Sequence, residues 1–330
     1  MNTFKKVGLT ALAGSLAAVS AQAAEMSVSG ASVLTYTQRD STELTGNPWG
    51  MKTNLSFTAS GEVNGYTVSY MQTSKDQFAG MSSARLSIDM GDMGVLAFDQ
   101  GSGSGLATID DKTPSAAEEV WDGLDASAAT SDVPARGLVG AAGSSGVWNY
   151  VKSVAGVNIN AAYRKGSGTS SADGGTSGLG AGSAWDVALT SSETGVDGLS
   201  IGAGYGLQPQ STEHENEHMT AFANYSMGMA TVGVQLSEIA KEAVGETGES
   251  TVAYGIAINV NDNLSISYGE RETDYNNPSA AHVTEDITGV AAAYTMGSIK
   301  IAGNINEVDN NNGTADSKDE NMEIAISFAF

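Results

Sequence analysis

The stretch LSFTASGEVNGYTVSY, residues 55–70, decides how the rest of the chain is read. Leu55, Phe57 and Ala59 alternate with Ser56 and Thr58, and Tyr66, Val68 and Tyr70 alternate with Thr67 and Ser69. Alternation of period two puts apolar side chains on one face of an extended strand and polar ones on the other. Between the runs stands Asn64-Gly65, the favoured two-residue hairpin turn, because both central positions need positive φ. These residues therefore predict a β-hairpin with one greasy and one wet face.

The theme recurs outward from that hairpin. Leu86, Ile88 and Met90 precede Gly91-Asp92-Met93-Gly94, and Leu96 and Phe98 follow. Val157, Ile159, Ala161 and Tyr163 follow Ala155-Gly156, and Leu199, Ile201, Ala203 and Tyr205 follow Val196-Asp197-Gly198. Val232, Val234 and Leu236 come after Met227-Gly228-Met229; Val252 to Val260 alternate up to Asn261-Asp262-Asn263, answered by Leu264, Ile266 and Tyr268; Ile299, Ile301 and Ile305 follow Met296-Gly297-Ser298. The count comes to about sixteen strands, each about ten residues long, which suits tilted strands crossing a bilayer. Short turns and long polar loops alternate strictly, as expected of a barrel with tight turns at one end and longer loops at the other. A soluble β-sandwich shares the period but has no reason for that asymmetry. Tyr and Trp near strand ends (Tyr36, Tyr70, Trp148, Tyr163, Trp185, Tyr205, Tyr225) suit the aromatic girdles of a membrane barrel. The strands near Trp148, Phe222 and Val290 lack clean parity, a pattern that burial on both faces would produce.

Lys5, Lys6, the apolar stretch Val7 to Ala18 and the small-residue site Ala21-Gln22-Ala23 read as a cleaved export signal over residues 1–23. The mature domain is then 24–330, undivided by any linker. Beyond the leader no run of eighteen apolar residues exists, so helical spans are excluded. The chain has 41 Gly, 5 Pro and no Cys, so stability comes from backbone pairing and burial and not from disulfides. Its 15 Lys and Arg stand against 38 Asp and Glu, a formal charge of −23, which excludes nucleic acid as a partner and favours cations.

The last nine residues sharpen the reading. Met322, Ile324, Ile326, Phe328 and Phe330 alternate with Glu323, Ala325, Ser327 and Ala329, and Phe330 ends the chain. This resembles the terminal strand of Gram-negative outer-membrane proteins, where an end-placed aromatic is an assembly signal; the resemblance assigns that part to Phe330, with Phe328. The segment ARLSIDMGDMGVLAFDQGSGSG, residues 84–105, is similar to the fourth and fifth strands of the general-diffusion porins, particularly the alphaproteobacterial type, with their Gly-Asp-x-Gly turn and Gly-rich loop start. The resemblance implies a transmembrane antiparallel barrel in the bacterial outer membrane, usually a homotrimer, whose third outer loop folds inward and narrows the channel. This chain departs from the pattern in having several shorter outer loops.

Residues 100–145 form the longest unpatterned stretch, the kind that is functional or disordered. Within it Thr113-Pro114 reads as an N-cap followed by proline at the first helical position, predicting a short helix over Ser115–Ala126. Asp110, Asp111, Glu118, Glu119, Asp122 and Asp125 lie there. On the residues alone a solvated acidic surface helix is the simpler reading; on the resemblance the same carboxylates line the constriction. Arg39, Lys52, Arg85 and Arg164 have lumen parity and become the basic wall opposite, or else charges at the rim. In the family such opposed charges create a transverse field, and charge rings set ion preference; with acids in excess, the expectation is cation preference.

Other chemistry is weaker. His214-Glu215-Asn216-Glu217-His218 matches H-E-x-x-H, but zinc chemistry needs both imidazoles one helical turn apart and a third ligand. Here the motif follows Pro209 in what reads as an outer loop running into a strand, without helical periodicity. His282 stands alone in another loop. Glycines at 101, 103 and 105, and at 178, 180 and 182, lack a following helix, so dinucleotide binding is not supported. Asp309 to Gly313 with Glu320 approaches a calcium loop, but its glycine falls one place early, and a turn between the last two strands explains it equally well. No cofactor is expected beyond loosely held calcium on acidic loops. No nucleophile, base and oxyanion donors converge, so no enzyme is expected. The reading is an outer-membrane porin passing small hydrophilic solutes and ions. Its alternative, a soluble or surface-attached acidic β-structural protein such as an adhesin, explains the acidity but not the loop lengths.

Overall fold

The computed structural model describes residues 25–39, 48–74, 80–127, 131–132, 138–143, 145–166, 182–210, 214–242, 247–276 and 283–330 of the 330-residue chain. The expected export signal, residues 1–23, and His282 lie outside the described residues. The strands are β1 (Glu25–Arg39), β2 (Trp49–Val63), β3 (Tyr66–Ser74), β4 (Met81–Asp89), β5 (Val95–Gln100), β6 (Asp125–Ser127), β7 (Ser131–Asp132), β8 (Ser145–Val154) and β9 (Val157–Arg164). There follow β10 (Ala184–Ser191), β11 (Leu199–Pro209), β12 (Glu215–Met227), β13 (Ala230–Lys241), β14 (Gly248–Asn259), β15 (Leu264–Asn276), β16 (Glu285–Met296), β17 (Ile299–Asp309) and β18 (Lys318–Ala329).

All but β6 and β7 form one closed antiparallel barrel of sixteen strands in which each pairs with its sequence neighbour, β5 with β8 across the long loop, and β18 with β1. The opening hairpin is as the sequence predicts: Val63 pairs with Tyr66 across a turn in which Asn64 and Gly65 have φ of 53° and 83°. Closure runs from Ala31 opposite Ala329 to Arg39 opposite Asn321. It is extended by Gly30 N–H donating to Phe330 O at 2.9 Å and Phe330 N–H to Gly30 O at 3.0 Å. A closed sheet leaves no edge, which lets strands stand in lipid with every backbone group paired.

Parity sorts the faces. Leu86, Trp148, Tyr163, Leu189, Ile201, Val234 and Ile305 fall on the outer face and are exposed. Aromatic pairs mark its long-loop end: Tyr36 on Trp49, Phe98 on Trp148 and Trp185 on Tyr205, with ring centroids 5.1, 5.2 and 5.9 Å apart. The inner face of β1–β4 carries hydroxyls, with Ser56 and Thr73 hydrogen-bonded across strands at 2.8 Å.

Three expectations change. Loop lengths do not alternate strictly: the turn between β10 and β11 holds seven residues, against five in the loop between β11 and β12. Thr194 Oγ1 and Ser191 Oγ bond the backbone of that long turn and hold it as a compact unit. The H-E-x-x-H motif is not a loop, since all but His214 belong to β12. Four strand residues span roughly 13 Å, too far for two imidazoles to share a metal. Finally, no helix forms over Ser115–Ala126; the segment makes turns and then β6. The uneven strands have a simple cause. Phe222 points inward under the long loop, while Trp148 and Val290 point outward and their neighbours Val147, Asn149 and Gly289 lie inward beneath the same loop or its contacts.

Candidate functional site

The loop between β5 and β8 begins at Gly101 and passes through the barrel. Arg85 on β4 donates to Gly103 O at 3.3 Å, while Leu106 already lies against Gly204 on β11. Five inter-strand steps separate β4 from β11, roughly 24 Å of wall. Between them the Arg85 guanidinium also reaches Asn149 on β8 and Gly105 N–H bonds Asn160 Oδ1 on β9, so the loop turns inward and steps along the inner wall.

From Gly105 to Leu124 the loop's contacts fall on β9 to β18. Its first part makes a small core on the wall: Leu106, Ile109 and Val139 pack with Ala188, Phe222 and Ile239. Its second part lies in a seat cut by the register. Asn224 faces Gly233, Gly233 faces Gly255, Gly255 faces Gly269, Gly269 faces Gly289, Gly289 faces Asn306, and Asn306 faces Asn321. Four glycines in one row leave a groove one side chain deep. A Cβ added at Gly233 would lie 2.5 Å from Pro114 Cδ, and one at Gly269 would lie 2.6 Å from Val120 Cγ1. The asparagines at the ends of the row hold the loop's backbone: Asn224 Nδ2 donates to Lys112 O at 2.7 Å, and Asn306 Nδ2 to Glu119 O and Asp122 O at 3.1 and 2.9 Å. Asn321 Nδ2 also reaches Asp122 O at 3.4 Å.

That seat explains the missing helix. From Lys112 to Asp122 the chain must cross from β12 to β17, five steps or roughly 24 Å along the wall. A helix of that length rises only about 15 Å. Ser115 adds a local competitor: its hydroxyl donates to Glu118 O at 2.7 Å and accepts from Ala117 N–H, the kind of bond that draws a backbone out of helix. Beyond Val120, Trp121 and Leu124 pack on Ile287 and Val308, and the Arg271 guanidinium stacks 4.6 Å from the Trp121 ring centroid. Each fully buried Leu, Ile or Val of these clusters contributes about 1.5–3 kcal/mol, so the loop is held as firmly as a core element.

The predicted acidic residues sit along this path. Asp110, Asp111, Glu119 and Asp122 are half-buried and Glu118 is exposed; the side chain of Asp125 lies outside the described residues. Burial pushes the carboxyls of Asp110, Asp111 and Glu119 above the usual carboxylate range. Asp111 and Glu119 also share a hydrogen bond and repel one another. The basic residues separate into different tasks. Lys52 is exposed on the inner face of β2. Arg85 is committed to the loop's start, donating to Gly103 O and to the Oδ1 of buried Asn149. Arg164 stands beside Gly143, where the loop rejoins the wall. Arg39 shares inner parity on β1, but its side chain lies outside the described residues.

Sequence reasoning passed over the glycine row, Asn224, Asn306, Asn321, Gln235 and Asp186. A signal was present, because mid-strand glycine weakens a strand and marks close approach of another backbone. His218 takes part in the same packing: its Nδ1 accepts Gly140 N–H at 3.3 Å. Among the described residues no three His, Asp or Glu side chains gather to hold a metal. Asp309 ends β17, and Asn310–Gly313 begin its connection to β18, with Asn310 and Asn312 at positive φ.

A closed barrel with an apolar, aromatic-banded outside, a polar inside and a loop laid along its inner wall defines a transmembrane β-barrel channel. Among families, the model of the Gram-negative porins matches residues 8–328. The chain belongs to that family; it is an outer-membrane protein, and the family and its fold are those of non-enzymatic channels. Among solved structures it is similar to OmpT of Vibrio cholerae, at 13% identity over 93% of this chain and 98% of that one, with a TM-score of 0.65. An anion-selective porin from Comamonas acidovorans matches at 12% identity over 93% and 100%, with a TM-score of 0.65. A mutant of the Rh. blastica porin matches at 14% identity over 93% and 100%, with a TM-score of 0.62. No curated protein matches.

Proposed function

We propose that the chain forms a cation-preferring diffusion pore for small hydrophilic solutes, narrowed by the loop of residues 100–145 and assembled as a homotrimer. The carrying observation is the seating of Asp110, Asp111, Glu119 and Asp122 on the inner wall by Asn224, Gln235 and Asn306. On this reading the passage runs between these carboxylates and the inner face of β1–β4, which carries Lys52. Fold does not set ion preference, since the porin from Comamonas acidovorans, a barrel of the same fold, is anion-selective. Net charge is a poor guide as well: Glu238, Glu270, Glu272, Asp286, Glu307 and Asp309 have outward parity and face away from the lumen. The preference therefore rests on the loop's acids, whose field acts at close range in a narrow, partly dehydrated passage. Support for the trimer is the trimer form of the OmpT neighbour.

The test is reversal potential in planar bilayers under a salt gradient. The intact protein should favour cations, and Asp110→Asn, Asp111→Asn and Glu119→Gln together should move the potential toward zero. Anion preference in the intact protein, or no response to neutralisation, would remove the assignment. Chemical cross-linking in detergent should stop at three chains.

A further inference from the structure

The two arms of the inner loop meet on one side chain. Asp186, on the inner face of β10 and 1% exposed, accepts Leu106 N–H on Oδ1 at 2.9 Å and Ala142 N–H on Oδ2 at 2.8 Å. Leu106 belongs to the incoming arm, Gly105–Thr108, and Ala142 to the outgoing one. The carboxylate sits in a slot that glycines make. A Cβ at Gly105, whose φ is +59°, would land on Asp186 Oδ1, and one at Gly206 would lie 2.4 Å from Asp186 Cβ and 2.7 Å from Ala141 Cβ. Asn160 Oδ1 takes Gly105 N–H at 2.9 Å beside it.

We infer that Asp186 is the clasp that closes the base of the inner loop, a positioning residue that sets the steadiness and width of the pore without touching solute. Backbone N–H groups bonded to a carboxylate form shorter and stronger bonds than those to a neutral acceptor. Only a carboxylate offers two acceptor atoms at once; an isosteric amide must turn an NH2 toward one of the two N–H donors. Asp186→Asn therefore frees one arm while leaving shape and wall unchanged. The inference rests on the loop being the narrowing element of the pore.

The experiment uses the full-length protein. The chain has no cysteine, and a Cβ at Gly140 would lie 3.8 Å from Ala107 Cβ, the usual Cβ separation of a disulfide. Asp186→Asn should keep heat-modifiable gel mobility, which reports the barrel, while open-channel current noise rises several-fold and mean conductance increases. Adding Ala107→Cys and Gly140→Cys, then oxidising, should restore quiet currents, and reducing agent should abolish the rescue. A quiet Asp186→Asn channel, or noise that oxidation does not silence, overturns the clasp. Should Asp186→Asn fail to assemble, the oxidised cysteine variant is expected to assemble. If it does not, the wall and not the arms needs Asp186, and the inference falls. Neutralised loop acids that leave ion preference unmoved, alongside noise that the disulfide silences, would remove the narrowing role and keep the clasp.

Discussion

Asp111 and Glu119 stand at the centre of the proposed pore site. Each is half-buried, each faces the other, and Asp110 adds a third carboxyl beside Lys112. Desolvation raises all three, so each takes up a proton at a higher pH than an exposed carboxylate does. The proposed cation preference should then begin to fade on acidification before the ordinary carboxylate range of about pH 4 is reached. Stability runs the other way. Because the folded state binds these protons more tightly, loop seating strengthens as pH falls through the raised values and weakens above them. Reversal potential measured from neutral pH downward checks the first claim; a flat response until about pH 4 contradicts it. Protease resistance of the loop over the same range checks the second. A second site-level prediction concerns Gly269. Gly269→Val places a Cβ 2.6 Å from Val120 Cγ1, and such overpacking costs about 1–3 kcal/mol, here spent on lifting the loop. Conductance should change while the barrel still forms. Gly61→Val, where nothing lies within 4 Å, is the control that should leave both barrel and conductance unchanged. These sites were the least legible part of the sequence. The acids were visible as a cluster, but one row shared by Gly233, Gly255, Gly269 and Gly289 exists only once the register of four strands is known.

Strands were far easier to read than the loop they enclose. Period two, Asn64-Gly65 and the paired turns lead directly to β2–β3, β4–β5, β9 and β14–β15, because local chemistry and final environment agree. Failure came where tertiary contact overrode local preference. Thr113-Pro114 is a sound helix start, yet the wall's asparagines and glycine groove stretch Lys112 to Asp122 into turns. The His214–His218 motif looked like loop because its residues are polar, but in β12 the polar face is covered by the inner loop and Asn216 and His218 are buried. Strand faces carry their own prediction. Ile305, mid-strand on β17, is 40% exposed on the outer face, so Ile305→Arg places a charge in hydrocarbon at a cost of about 2–4 kcal/mol. Lys152, outward on β8 near its turn with β9, shows that the interface tolerates what the midplane should not. Folding titrations in lipid vesicles should find Ile305→Arg strongly destabilised. Equal stability to the parent protein would mean that this face does not meet lipid.

Closure joins these scales. A sixteen-strand sheet in lipid is stable only if β1 and β18 meet, because an open edge would leave a row of backbone groups with no water to pair them. The seam is registered from Ala31–Ala329 to Arg39–Asn321 and ends in two hydrogen bonds between Gly30 and Phe330. Each bond contributes about 0.5–1.5 kcal/mol net, but they also hold the end of the seam in place. Phe330 has a second property, being 67% exposed at the rim, as an assembly signal would need. Two variants separate these roles. Deleting Phe330 removes both bonds and the ring, so refolding into detergent should yield a barrel that loses heat-modifiable mobility at lower temperature. Phe330→Ser keeps the backbone bonds, so the purified barrel should melt close to the parent while the assembled fraction in cells drops. If Phe330→Ser assembles fully in cells, the ring is no signal and the seam alone explains the terminal residue. If it melts as early as the deletion, the ring's burial against the rim outweighs the two bonds, and closure is governed by packing and not by pairing.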